Sequence, residues 1–266
     1  MQFFYVLKKG ASWKTASSII MKDTSYEKTL NRRFNQLIKN NIISNAYNEI
    51  QNNYIKNNTI DEVYIDSTDI QNSNCTKNNT YKSFKLHKQA MRLSIIVDKN
   101  RIPLTYSIQP AYNNDSHLGF ELAKTLKLND NKEHYLVGDK GYYMNKMKKD
   151  YLLKNNKLKL LVPKKKYKKN KKKNTKRIQI HHSEYMKQIL KNRIVIEHTN
   201  SIIHRLFKRV HQIYEKTKKC YDAFIKLAIV CMIIRKSSKS ARSYQALEEV
   251  GVKPNIWYKV KVRNQG

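Results

Sequence analysis

An α/β fold with one mixed sheet flanked by helices is predicted by three features of the chain. Apolar residues alternate with period two in several short segments, leucines recur at helical spacing between them, and helical patterns occupy both ends. The order of these patterns gives three strands, a helix, a strand, a helix and a fifth strand.

Residues 1–58 read as helical throughout. Gly10 is the expected stop of a first helix, and Ser25 the expected cap before a run rich in Lys and Arg. A helix-turn-helix would place Lys28, Arg32 and Arg33 on a basic second helix within reach of phosphates or base edges. A solvated helical pair is the blander alternative.

From Asp61 the period changes to two. Glu62 to Asp66 alternates, so that Tyr64 and Asp66 share one face of a strand that ends in a carboxylate. Met91, Leu93, Ile95 and Val97 mark a second strand, Asp98 to Asn100 a turn, and Ile102, Leu104, Tyr106 and Ile108 a third strand. Together these make an antiparallel meander. Asn114, Asp115 and Ser116 are caps for a helix starting near His117 and carrying Leu118, Leu122 and Leu126. Tyr135 to Asp139 is the fourth strand. A helix over about Tyr142 to Asn155 and a fifth strand from Leu158 to Val162, closed by Pro163, complete a five-stranded sheet.

The stretch Lys164 to Arg177 is almost wholly Lys, Arg and Asn. It repels itself and builds no core, so 164–180 reads as a mobile basic insertion that would hold phosphate non-specifically or pass for a nuclear-import signal. Ile189, Ile196, Ile203, Leu206, Val210 and Ile213 then predict one long amphipathic helix with Glu197 beside its apolar stripe. A last helix covers roughly Tyr221 to Lys236. The tail, 237–266, carries no clear signal, and 60–236 forms the main domain behind the helical 1–58.

Charge narrows the partners. Among 266 residues, 54 Lys and Arg face 20 Asp and Glu, a formal net charge of +34 that requires a polyanion. Nucleic acid is the first candidate and an anionic membrane surface the second. The longest apolar stretch, Ala223 to Ile234, is short, carries Lys226 and reads as a buried helix, so no membrane partner is expected. No signal-peptide core appears at the amino end, which predicts an internal protein. Cys75, Cys220 and Cys231 form no zinc-type spacing and read as reduced thiols. The eight histidines show none either, and adjacent His181 and His182 read as solvated. Abundant Lys, Asn, Ile and Tyr also follow from A/T-rich coding, so the tyrosines are not counted as stacking platforms.

Three carboxylates stand out by position: Asp66 closing the first strand, Asp139 closing the fourth, and Glu197 on the long helix. Singly, each is best explained as a turn residue or an exposed helical acid. If the first and fourth strands lie side by side, their carboxyl ends meet, and a covering helix adds the third acid. Such a trio needs cations. Hard oxygen ligands suit Mg²⁺ or Mn²⁺, and two such ions predict displacement at phosphate.

The segments carrying these acids resemble the three catalytic motifs of the DDE transposases of insertion sequences. They are Tyr64-Ile65-Asp66-Ser67-Thr68, Leu136-Val137-Gly138-Asp139-Lys140-Gly141-Tyr142, and Arg193 to Glu197 followed by His198-Thr199-Asn200. Ile203 to Glu215, Ala223-Phe224 and Leu227-Ala228 resemble that family's helical end, and Leu7 to Trp13 its short leader motif. The resemblance spans about residues 60–236. It implies an RNase H-like sheet, cleavage at transposon ends supported by two Mg²⁺ or Mn²⁺ ions, and attack of the freed 3′-hydroxyl on target DNA.

By the same resemblance Asp66, Asp139 and Glu197 are the catalytic acids and metal ligands. The double-stranded partners are the terminal inverted repeats and the target DNA, and two ends imply a homodimer. The setting is then the cytoplasm or nucleoid of a prokaryote, or the nucleus of a eukaryotic host. Lys140 is a candidate phosphate contact beside Asp139, and Arg193, one turn before Glu197, is a clamp for a phosphate or a partner of the glutamate. Asn200, one turn beyond Glu197, would orient the scissile strand or be a plain helix-surface amide. Many relatives have a tyrosine three positions before the arginine and a lysine seven after the glutamate, where this chain has Leu190 and His204. The amino segment is also shorter than theirs. Arg205 or Lys208 would then replace the missing DNA contact, with Arg209 also available. Two rival readings stay open: a nuclease on the same fold that cuts without joining, and a decayed or domesticated copy that only binds DNA.

Overall fold

The computed structural model describes residues 2–72, 81–83, 85–111, 114–128, 132–163 and 183–237. The basic insertion, His181, His182, Cys75 and all of the tail but Ser237 lie outside the described residues.

Helices α1 (Gln2–Lys9), α2 (Trp13–Met21), α3 (Glu27–Lys39) and α4 (Ile42–Asn57) form the amino-terminal part. Gly10 ends α1 as expected: its φ of +67° is a left-handed conformation that costs a glycine little. Ser25 is not the cap of α3. No side chain caps α3 itself, which Tyr26 precedes; Asp23 caps the 3₁₀ turn over Thr24–Tyr26 that leads into it, accepting the Ser25 N–H at 2.8 Å. A carboxylate is the stronger acceptor there.

The sheet follows the predicted order, with β1 longer than expected, β5 and β6 ending earlier and α6 starting later: β1 (Glu62–Asn72), β2 (Tyr81–Lys82), β3 (Gln89–Asp98), β4 (Pro103–Pro110), helix α5 (Asp115–Thr125), β5 (His134–Val137), α6 (Lys146–Asn156) and β6 (Leu158–Leu161). Asn114 caps α5, accepting the Ser116 N–H at 2.9 Å. Beyond residue 182 the chain forms α7 (Glu184–Lys191), α8 (Ile194–Leu206), the short α9 (Lys208–His211), β7 (Gln212–Ile213) and α10 (Lys218–Ser237). The single long helix expected over 189–213 is therefore three helices followed by a two-residue strand. It turns at Asn192-Arg193 and breaks at Phe207, whose φ/ψ of −126°/75° is not helical and lets its ring be buried.

The sheet has seven strands instead of five, the additions being the two-residue β2 and β7. β3 sits between β1 and β4, antiparallel to both, while β5 and β6 extend the other side in parallel. Alternation sets the faces. Ile65 meets α5, where a Cβ on Gly119 would lie 3.3 Å from its Cδ1, whereas Asp66 faces α8, whose Asn200 bonds it. Helices α4 and α10 join α8 on the Asp66 face: Tyr106, level with Asp66 across β3, donates its hydroxyl proton to Asp222 of α10 at 2.6 Å.

The amino-terminal helices are not a separate lobe. One buried apolar cluster runs from Val6 and Leu7 through the sheet to Phe224 and Ile233. Phe34 of α3 stacks on Phe224 of α10 with centroids 4.6 Å apart. No helix among the described residues is long and apolar enough to cross a membrane.

Candidate active site

Asp66 does not end its strand. β1 continues to Asn72 because β3 pairs with it throughout, from Val63↔Asp98 to Gln71↔Ala90. On its other edge the partners change: β5 pairs only with Glu62 to Tyr64, and β7 only with Gln71 and Asn72. Asp66 lies in the gap between them. The last β1–β5 pair is Tyr64↔Val137, so two residues further along each strand bring Asp66 and Asp139 side by side on one face.

Asp139 starts the 3₁₀ turn Lys140–Tyr142, and its Oδ1 accepts the Gly141 N–H at 2.7 Å. Tyr142 turns inward. Its hydroxyl is 2.6 Å from Ser67 Oγ, which in turn is 2.7 Å from Ser94 Oγ, a hydroxyl chain directly behind the acids. Helix α8 approaches the gap with Arg193, Glu197 and Asn200 at helical spacing. Asn200 Nδ2 donates to Asp66 Oδ2 at 3.0 Å, and Arg193 pairs with Glu197 Oε1 at 2.6 Å. Burial pushes the Asp66 carboxyl above the ordinary carboxylate range, and the Asp139 charge adds to this, while the Ser67 N–H and the Arg193 charge oppose it.

Two of the expected acids thus lie together, with the helix bearing the third fastened over them. The donor set is hard oxygen, and the cost of charging Asp66 beside Asp139 is one that a divalent cation relieves. Among the described residues, however, no three acidic, histidine or cysteine side chains stand close enough to hold a metal ion. Glu197 is half exposed and tied to Arg193, so it would have to exchange that partner to join a metal site.

The other expected contacts divide by exposure. Lys140, Arg205, Lys208, Arg32 and Arg33 are exposed, and Arg193 and Asn200 are half-buried at the gap. Arg209 is a correction. It is buried, pairs with buried Glu215 at 2.6 Å, stacks near Tyr214 and Phe224, and donates to the Ala11 carbonyl at 3.3 Å, so its guanidinium is spent inside the fold. His204 is half-buried beside His211, with ring centroids 4.7 Å apart. Cys220 and Cys231 are free thiols.

Sequence reasoning missed a second polar group at this site. Arg92 of β3 bridges Asp69 of β1 and Asp115 of α5, both at 2.8 Å, and Asp69 also accepts from Ser83 at 2.6 Å. A Cβ on Gly141 would meet both Asp139 Oδ1 at 2.9 Å and Asp115 Oδ2 at 3.4 Å. The signal was present: an arginine within an apolar strand must find carboxylates when the strand is buried. The surface grooves between α1 and α3, and between α4, β4 and α10, contain none of the three acids. The site lies at the β1 edge between β5 and β7, beside α8.

Comparison with known proteins adds one finding. A family model described as the transposase DDE domain matches residues 57–233. No curated protein and no solved structure matches the chain. The match covers most of the chain and all three acids, and the sheet order agrees with an RNase H-like fold: the chain belongs to the DDE transposase family.

Proposed function

We propose that this transposase cuts DNA at the ends of a mobile element and joins the freed 3′-hydroxyl to target DNA, with Asp66, Asp139 and Glu197 as its catalytic acids. One observation carries the reading: the strand register brings Asp66 and Asp139 together at a gap in the sheet edge, and Asn200 fastens the Glu197 helix to Asp66.

Asp66 and Asp139, with Glu197 once Arg193 releases it, are the residues that would hold Mg²⁺ or Mn²⁺. When bound, such ions activate the attacking hydroxyl and stabilise the leaving oxygen. The protein's own part is positioning. Gly141 N–H fixes one oxygen of Asp139, Asn200 orients Asp66, and the Arg92 bridge holds the start of α5 beside the Asp139 turn. Arg193 and Lys140 are cations placed to receive the scissile phosphate, and Arg205, Lys208, Arg32 and Arg33 would track the duplex further out.

The test incubates the protein with labelled element ends, Mg²⁺ and a target plasmid. The expected products are cleaved ends and ends joined to the plasmid. Asp66→Asn, Asp139→Asn and Glu197→Gln should each lower both products by about a hundredfold or more while DNA binding persists. Cleavage without joining would reduce the protein to a nuclease, and undiminished products from Asp139→Asn would refute the site.

A further inference from the structure

Behind the acids, on the α5 side of the sheet, lies the ion triad of Asp69, Arg92 and Asp115, to which no chemical step belongs. Strand register fixes its base: Asp69 stands directly opposite Arg92 in the β1–β3 pair, and opposite charges so placed attract. Arg92 gives Asp69 its Nε at 2.8 Å and its Nη2 at 3.5 Å, and its Nη1 reaches Oδ1 of Asp115 on α5 at 2.8 Å. Ser83 completes the base by donating to Asp69 Oδ2 at 2.6 Å. The base is nearly dry, with the Arg92 and Asp69 side chains 13 % and 4 % exposed.

One guanidinium thus serves two carboxylates on separate elements through three of its nitrogens. A lysine would carry the charge without the fork, and a point charge does not hold both carboxylates in fixed planes. What the fork orients is the far side of Asp115. With Oδ1 taken by Arg92, Oδ2 faces Gly141, the residue whose N–H holds Asp139 Oδ1 at 2.7 Å. Both carboxylates crowd the space that a side chain at residue 141 would fill, so the place of Asp115 limits the place of Asp139. Burial raises the pKa of the Tyr142 hydroxyl, and the charges of Asp66, Asp115 and Asp139 all add to the rise, so Asp115 acts on the same group as the two acids.

We infer that Arg92 is a positioning residue for the reaction: through Asp115 and Gly141 it sets where Asp139 stands, and thereby how tightly the site takes a divalent cation. The inference rests on the assignment of Asp66 and Asp139 as metal-holding acids and adds the layer that orients one of them. Outer partners of this kind carry about 10- to 100-fold of a metal site's affinity. A triad that only pinned α5 to the sheet would contribute to stability and leave that affinity alone.

Mn²⁺ binding to the full chain with duplex DNA, followed by electron paramagnetic resonance with the signal of DNA alone subtracted, tests this without turnover. Arg92→Lys, which keeps the charge and removes the fork, should weaken Mn²⁺ binding by about 10- to 100-fold and leave duplex affinity unchanged. Cleavage by that variant should return as the metal concentration is raised. Asp115→Asn, at a position one-third exposed, should weaken Mn²⁺ binding too, and it keeps the test open should Arg92→Lys not fold. Because both variants break one contact, the double variant should bind Mn²⁺ no more weakly than the worse single one. Unaltered Mn²⁺ affinity in either folded single variant would overturn the positioning role, and so would losses that multiply in the double variant. Failure of the unaltered protein to bind Mn²⁺ would instead overturn the assignment of the acids themselves.

Discussion

A methyl group added at residue 119 would land 2.5 Å from Cδ1 of Tyr142 and 3.3 Å from Cδ1 of Ile65. Gly119 is therefore the point where α5 comes close enough to the sheet to wall in the tyrosine behind the acids. The ring cannot swing away without leaving Ser67. Gly119→Ala should gain helix propensity yet lose about 1–3 kcal/mol of stability from overpacking, read as a lowered denaturation midpoint; unchanged stability would mean that the ring has room to move. His204 gives a second residue-scale expectation. Burial, reinforced by His211, depresses its pKa from the usual 6.5 to about 4. The unfolded chain therefore takes up a proton that the folded chain refuses, so the histidine's stabilising contribution is full above about pH 6.5 and is lost as pH falls toward 4. Melting temperature should decline between pH 7 and 5, before most carboxylates titrate, and His204→Gln should flatten that decline. An equally steep decline in the variant would assign it to other groups.

At the scale of elements, Arg209 and Glu215 act as a clasp. The pair joins α9 to the segment before α10 and reaches the backbone after α1, so the leader, the interrupted helix and the last helix meet at one buried ion pair. Removing one partner leaves the other charged and dry. Arg209→Ala should cost about 3–5 kcal/mol, whereas replacing both residues with apolar ones of similar volume should cost much less, and a double-mutant cycle by chemical denaturation measures the difference. Such a clasp is hard to read from sequence, because Arg209 stands in a run of basic residues, Arg205 and Lys208 among them, and nothing local says which one turns inward. The strands were legible for the opposite reason: alternation in 62–66, 91–97 and 102–108 is local, and a buried sheet face enforces it. Alternation could not show where β1 stops. Its continuation past Asp66 depends on pairing with β3, between residues 19 to 27 positions apart. The break at Phe207 was invisible too, since a 3.6-residue period continues across a kink when both halves bury the same side.

For the molecule as a whole, the +34 charge becomes a statement about which cations meet phosphate. Each neutralised phosphate on duplex DNA releases condensed counterions and steepens the fall of log K with log salt by about 0.9. Net charge alone does not set that slope, because a buried or paired cation contributes nothing to it. Arg209 belongs to that group, while exposed Arg32 and Arg33 on α3 do not. Blunt-duplex affinity measured across a salt series should therefore separate them. Arg32→Ala or Arg33→Ala should reduce the slope by about one if that side chain meets a phosphate. Arg209→Met should leave the slope unaltered at a temperature where the variant stays folded. Unchanged slopes for both α3 variants would remove the amino-terminal helices from the DNA interface and leave duplex binding to Arg193, Arg205, Lys208 and the basic insertion. A reduced slope for Arg209→Met would mean that the clasp opens when DNA binds.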